Sequence, residues 1–178
     1  VEALASAVET RDRYTASHQR RVASLACAIA GEMGGIGADQ MKGLRTAAVI
    51  HDIGKLYVPF ELLDKPGRLN DIEFAMIKTH PQTGYDILKN IEFPWPVARI
   101  VLEHHERLDG SGYPAGLKGD NILLGARIIG VADVVEAMSS HRPYRPGKGI
   151  KAALQEITKG RGSLYDPKAV DVCSALFG

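Results

Sequence analysis

The sequence predicts an all-α fold. Three observations carry that prediction: apolar residues recur at spacings of three and four, no stretch alternates apolar and polar residues over the length of a strand, and capping residues with glycine and proline stops cut the chain into short helical lengths. At 178 residues and 45% hydrophobic, the chain can bury a sizeable core as one domain, residues 1–178, with no need of a disulfide or a metal to hold it folded. It opens at Val1 with Leu4 and Val8 already in helical spacing and has no initiator methionine or signal peptide, which points to a domain cut from a longer protein. A net charge of +1 and a pI near 7.9 offer no broad cationic face for duplex nucleic acid or an anionic membrane, so any phosphate binding is local. No apolar run approaches the roughly 18 residues of a membrane span. Cys27 and Cys173 each fall in an apolar helical pattern and read as buried small hydrophobes in a reducing, cytoplasmic setting.

The elements follow in order. Residues 1–33 are rich in Ala, Leu, Arg and Glu, with a cap or kink around Tyr14, Thr15 and Ser17. His18 lies on a line with Val22, Leu25 and Ile29; taken alone it reads as a packed residue before it reads as a ligand. The tract 34–37 ends that helix, and a second is expected over 39–50, where Met41, Leu44, Ala48 and His51 form one stripe. Asp52 follows at once, so an imidazole and a carboxylate leave a buried helix together. Such a pair suits a divalent cation, since histidine supplies nitrogen and aspartate an oxygen able to bridge two ions.

One helical turn is expected at 59–63 and a chain turn at 65–67. Asn70 with Glu73 is a capping box for the next helix, whose apolar side is Phe74 and Ile77. His80 ends it, held non-helical at a junction by Pro81. A helix over 82–89 and the rigid FPWP tract lead to a helix opened by Pro96. There Val97, Ile100 and Val101 place His104 on the buried stripe and His105 at its border, and Gly110, Gly112 and Pro114 stop the helix near Leu108, leaving 109–113 as a shaped loop. A single buried histidine is ordinarily a satisfied core residue; two adjacent ones beside Glu106 and Asp109 point to metal binding. In the helix over 125–139, Asp133 has Ile129 and Ala137 one turn to either side, where an unpaired carboxylate costs several kcal/mol, so it needs a cation. The basic stretch 142–151 reads as a solvated turn or, beside a phosphate site, as a clamp. Asp166 caps a last helix ending near Phe177.

Taken together, His18, HDIGK at 51–55, His80 before Pro81, HHERLDGSGYP at 104–114 and VADVVEAMSSHRPYRP at 131–146 closely resemble the HD-GYP family, the bacterial subset of the HD metal-dependent phosphohydrolases, over residues 12–177. The resemblance implies an HD-type bundle of about seven to nine helices and hydrolysis of cyclic di-GMP to linear pGpG or GMP. It implies a centre of two divalent ions, iron or manganese, with a hydroxide shared between them as nucleophile. Carried over by position, His18, His51, Asp52 and Asp133 hold one ion, His80, His104 and His105 the other, and Asp52 bridges. Lys55 meets a phosphate oxygen or aids the leaving 3′ oxygen, Arg142 and Arg145 hold the substrate phosphates, and Tyr113 shapes the substrate pocket. Glu106 and Asp109 orient the imidazoles from behind. Where some members carry a glutamate for a third ion this chain has Tyr14, so two ions are expected. A homodimer and a contact with other signalling domains through the Gly-Tyr-Pro loop are further partners held open. Two other functions compete: a cyclic-dinucleotide binding or interaction module that turns over poorly, and an HD hydrolase for another nucleotide. Retention of all seven ligands counts against the first, and the HHExxDGxGYP element against the second.

Overall fold

The run LGARIIGVADVVEAMS has no polar face wide enough for solvent, and it forms a helix, Leu124–Ser139, buried on most of its circumference. In the computed structural model, which describes residues 15–140 and 147–178, this helix is the seventh of nine α-helices among the described residues. They are α1 Thr15–Met33, α2 Ala38–Ile50, α3 Phe60–Leu63, α4 Asp71–Ile77, α5 His80–Leu88, α6 Val97–Glu103, α7 Leu124–Ser139, α8 Ile150–Lys159 and α9 Pro167–Phe177, with 3-10 turns at Ile53–Tyr57 and Gly119–Asn121. Strand pairing among the described residues is limited to the isolated bridges Asp109–Lys118 and Arg161–Tyr165. The all-α prediction holds. No helix among the described residues is long and apolar enough to cross a membrane.

α1 lies along α2, α7 and α9, while α6 packs against α2, α5 and α7. Val22, Ala26 and Ile29 of α1, Ala47, Ala48 and Ile50 of α2, and Ile128, Ile129, Ala132 and Val135 of α7 are all buried. Burying a large aliphatic side chain is worth about 1.5–3 kcal/mol. The alanines serve another purpose: their short side chains let the three helix axes approach, and that approach brings His18, His51 and Asp133 together.

After α2 the chain turns sharply against α5. A Cβ on Gly54 would stand 1.9 Å from the His80 carbonyl oxygen and 2.6 Å from the Gly84 nitrogen. Only glycine lets the 3-10 turn lie this close, and the contact is what carries Asp52 to His80.

Three sequence expectations are corrected. His80 is the first residue of α5 and not a non-helical break, because Pro81 falls in the first turn, where its missing N–H costs no hydrogen bond. The helix before the paired histidines ends at Glu103 and not near Leu108, since the His104 ring bonds the Val101 carbonyl and closes the last turn. Phe74 and Ile77 do not seat α4 in the core: Phe74 is exposed, Ile77 half-buried, and α4 buries no residue. That helix is held by its Asn70–Glu73 capping box and the Lys65–Glu73 ion pair. Cys173 is buried, and burial pushes its thiol up to about 11; Cys27 is half-buried.

Candidate metal centre

Three imidazoles are aimed by one device. His51 Nδ1 donates to the Ala48 carbonyl at 2.7 Å, His80 Nδ1 to Ile77 at 2.8 Å and His104 Nδ1 to Val101 at 2.6 Å. Each histidine sits at a helix end and reaches back three residues to a carbonyl that can only accept. The proton is therefore assigned to Nδ1, and Nε2 faces inward with its lone pair. His51 Nε2 is buried with no hydrogen-bond partner among the described residues. A buried acceptor left in this way is costly, and a bound cation satisfies it.

The inward atoms fall into two groups, Asp52 with His80, His104 and His105, and His18 with His51 and Asp133; within each group the ligating atoms lie within 4.8 Å of one another. Asp52 connects them. Its Oδ1 is 3.3 Å from His80 Nε2 and its Oδ2 is 3.4 Å from His51 Nε2, so one carboxylate presents an oxygen to each group. His80 Nε2 and His104 Nε2 are 3.4 Å apart, and His18 Nε2 is 3.1 Å from Asp133 Oδ1. The seven residues assigned by resemblance to the two ions thus converge.

The electrostatics of Asp52, Asp133, His104 and His105 suit cation binding. Burial alone would raise the Asp52 carboxyl, but Lys55, His51 and His80 hold it well below the usual carboxylate range. Asp133 is held down in the same way against its burial by His18. Burial drives His105 down to about 3, and burial with the neighbouring His105 drives His104 down as well. Both are neutral at pH 7, the form that binds a metal. Burial also pulls His18 down, yet the Asp133 and Glu136 carboxylates outweigh it and lift its pKa to about 9. Nitrogen and oxygen donors without thiolate match first-row divalent ions.

The sequence pattern does not mark Glu136. Its carboxylate accepts from His18 Nδ1 and from Arg21, fixing the imidazole so that Nε2 faces Asp133. The available signal was its place three residues after Asp133 on the most apolar helix. Glu136→Gln is expected to weaken binding of one metal equivalent about 10–100-fold, as losing a carboxylate behind a ligating histidine does. Competition with a chelator measures this, and unchanged affinity would remove Glu136 from the centre.

The remaining predicted residues fall in different places. Lys55 Nζ is 2.6 Å from Asp52 Oδ2 with its side chain partly exposed, at the rim of the centre. Among the described residues Glu106 and Asp109 bond loop amides: the Glu106 oxygens accept from the Ala115 and Leu117 amides at 2.7 and 3.0 Å, and Asp109 accepts from the Ser111 amide. They shape the glycine-rich loop, because backbone amides turned inward there need an acceptor nearer than the rings. Tyr113 lies with its ring on His105, and burial raises its phenol pKa, so the hydroxyl stays protonated. Tyr14, Arg142 and Arg145 lie outside the described residues. An apolar cleft of about 300 Å³, lined by Leu44, Trp95, Ile100 and Ile128 among others, shares no residue with either ligand group.

The sequence profile described as HD domain matches residues 2–169. The chain belongs to the HD domain family. Its HHERLDGSGYP stretch is the element by which this HD domain resembles the HD-GYP branch. It is 42% identical over 170 residues to the cyclic di-GMP phosphodiesterase response regulator RpfG of Xanthomonas campestris pv. campestris, covering 94% of the chain and 45% of that protein. It is 42% identical over 173 residues to a cyclic di-GMP phosphodiesterase of Thermotoga maritima, covering 96% and 47%. It is 40% identical over 168 residues to 3′3′-cGAMP-specific phosphodiesterase 3 of Vibrio cholerae, covering 94% and 36%. The chain spans less than half the length of these curated relatives. Among solved structures it resembles Bd1817, a HDG"Y"P protein from Bdellovibrio bacteriovorus, with a TM-score of 0.75 at 21% identity over 90% of this chain and 52% of that one. The HD domain of the Listeria monocytogenes phosphodiesterase PgpH, in complex with cyclic-di-AMP, matches with a TM-score of 0.68 at 22% identity over 98% and 95%. At these identities the likeness is one of fold. HD phosphohydrolases use divalent metals, and the His/Asp set of this HD domain can bind them.

Proposed function

We propose that this HD domain is a phosphodiesterase that hydrolyses cyclic di-GMP to linear pGpG or GMP, using two divalent ions, iron or manganese. The observation that carries the proposal is Asp52, one buried carboxylate with an oxygen turned to each of two histidine-containing groups. Two first-row ions held in this way lower the pKa of a water and neutralise phosphoryl oxygens. The names of the relatives at about 40% identity support the same substrate class.

The chain's own side chains do the rest. His18, His51 and Asp133 hold one ion, His80, His104 and His105 the other, and Asp52 both. Lys55, at the rim, meets a phosphate oxygen or the leaving 3′ oxygen. Arg142 and Arg145 hold the substrate phosphates and ligate neither ion. With Tyr14 where a third ion would take a glutamate, two ions saturate the centre. The chain serves as one catalytic domain of a longer signalling protein, with its Gly-Tyr-Pro loop available to a neighbouring domain.

Arg142→Ala or Arg145→Ala is expected to raise KM about ten- to a hundredfold with metal content intact, since charge-assisted hydrogen bonds outside the metal shell contribute binding. Unchanged KM in both variants returns that stretch to a solvated basic turn.

The deciding experiment is anaerobic purification, metal quantification and product analysis on cyclic di-GMP, with 3′3′-cGAMP and mononucleotides alongside. The proposal expects linear pGpG or GMP from cyclic di-GMP. The 3′3′-cGAMP-specific relative at 40% identity favours the mixed dinucleotide as the second reading, and hydrolysis of it in preference to cyclic di-GMP would establish that reading. Nucleotide binding without turnover, or activity confined to mononucleotides, would refute both.

A further inference from the structure

The four histidines nearest Asp52 are not held alike. His51, His80 and His104 are each fixed through Nδ1 by a carbonyl three residues back. His105 has no such bond among the described residues. A ligating imidazole without a partner on its far nitrogen is free to rotate about its side-chain torsions, and ligand orientation sets metal affinity. Something else must fix this ring.

Tyr113 meets it at two points. The rings stack with centroids 4.8 Å apart and 29° between planes, and the Tyr113 amide donates to the His105 carbonyl at 3.3 Å. The chain can make this approach because residue 112 is glycine: a Cβ there would lie 2.4 Å from the Arg107 nitrogen and the Glu106 Cα and 2.5 Å from the His105 oxygen. Glu106 ties down the far side of the loop through Ala115 and Leu117. Above, Lys78 Nζ stands 5.3 Å from the Tyr113 ring centroid and 4.7 Å from that of Phe74, so a cation on the chain between α4 and α5 holds both rings.

We propose that Tyr113 is a positioning residue that sets the His105 imidazole by ring stacking, and that the glycine-tyrosine pair acts on the metal centre through this ring and not through its hydroxyl. The proposal rests on the reading of Asp52, His80, His104 and His105 as a metal-binding group. It assigns Tyr113 a duty distinct from touching substrate: the aromatic face matters and the phenol oxygen does not.

The test compares Tyr113→Leu with Tyr113→Phe, using manganese affinity by chelator competition, metal stoichiometry, circular dichroism and steady-state kinetics on cyclic di-GMP. Tyr113→Leu is expected to weaken one manganese equivalent about 10–100-fold while leaving the other unchanged, and to lower kcat with KM close to wild type. Tyr113→Phe keeps wild-type affinity, and this holds whether or not the leucine variant folds. The coupling is read in a His105→Ala background, where Tyr113→Leu should cost no further affinity. Equal manganese affinity in Tyr113→Leu and wild type overturns the proposal. So does an equal loss in the phenylalanine variant, a rise in KM alone, or an undiminished loss in the His105→Ala background. A wild-type chain that binds two manganese ions without cleaving cyclic di-GMP would remove the proposed function and leave the affinity comparison to decide Tyr113.

Discussion

Asp52→Ala is expected to abolish hydrolysis of cyclic di-GMP and to strip more than one equivalent of metal from the chain. The reason is geometric: Asp52 Oδ1 faces His80 Nε2 at 3.3 Å and Oδ2 faces His51 Nε2 at 3.4 Å, so removing one side chain takes an oxygen from each group. The same change takes the counter-charge from Lys55. Groups that act as a unit fail together, and the loss of rate should be at least about a thousandfold. Metal content is measured by elemental analysis on protein shown folded by circular dichroism, with Asp52→Asn as the variant of nearly unchanged volume. Loss of a single equivalent with activity retained would sink the bridging role.

The second large effect is on stability. Gly54→Ala should lower the melting temperature by roughly 6–12 °C, the equivalent of about 3 kcal/mol in a chain of this size. The added methyl meets the His80 carbonyl oxygen at 1.9 Å and the Gly84 nitrogen at 2.6 Å, and backbone atoms have no alternative rotamer to retreat to. Whatever shift relieves the clash moves the 3-10 turn away from α5 and separates Asp52 from His80. Gly31→Ala is the control, because a Cβ there meets nothing within 4 Å and glycine in a helix is a net cost. A Gly54→Ala variant melting within about two degrees of wild type would contradict this account.

These two cases show how far a sequence can be read. His51 was legible because the helical period carries an apolar stripe straight into it, and Asp133 because a carboxylate on a helix apolar all round has to meet a cation. The HDIGK glycine could be named but not explained, since its partner is the backbone of α5, some thirty residues along the chain, and no local pattern records such a contact. The glycines mark a stop near Leu108, but α6 ends earlier because the His104 ring itself closes the turn. Glu106 and Asp109 are close to the imidazoles in sequence, and their oxygens bond loop amides, a destination that proximity along the chain does not record. The carboxylate that does steady a histidine, Glu136, lies 118 residues from His18. On α4 the periodicity was real and the burial was not, because helical spacing describes which residues share a face and says nothing of whether another element covers it.

The central claim is that the two ligand groups form one centre joined by Asp52. Its most direct measurement is the metal–metal vector in the anaerobically loaded chain, by extended X-ray absorption fine structure or by anomalous diffraction from crystals grown with excess manganese. The account predicts two ions about 3.5–4 Å apart, one on the His18, His51 and Asp133 side and one on the His80, His104 and His105 side. A single ion at saturation, two ions too far apart to share the Asp52 carboxylate, or a third full-occupancy ion bonded to the Tyr14 oxygen would contradict it.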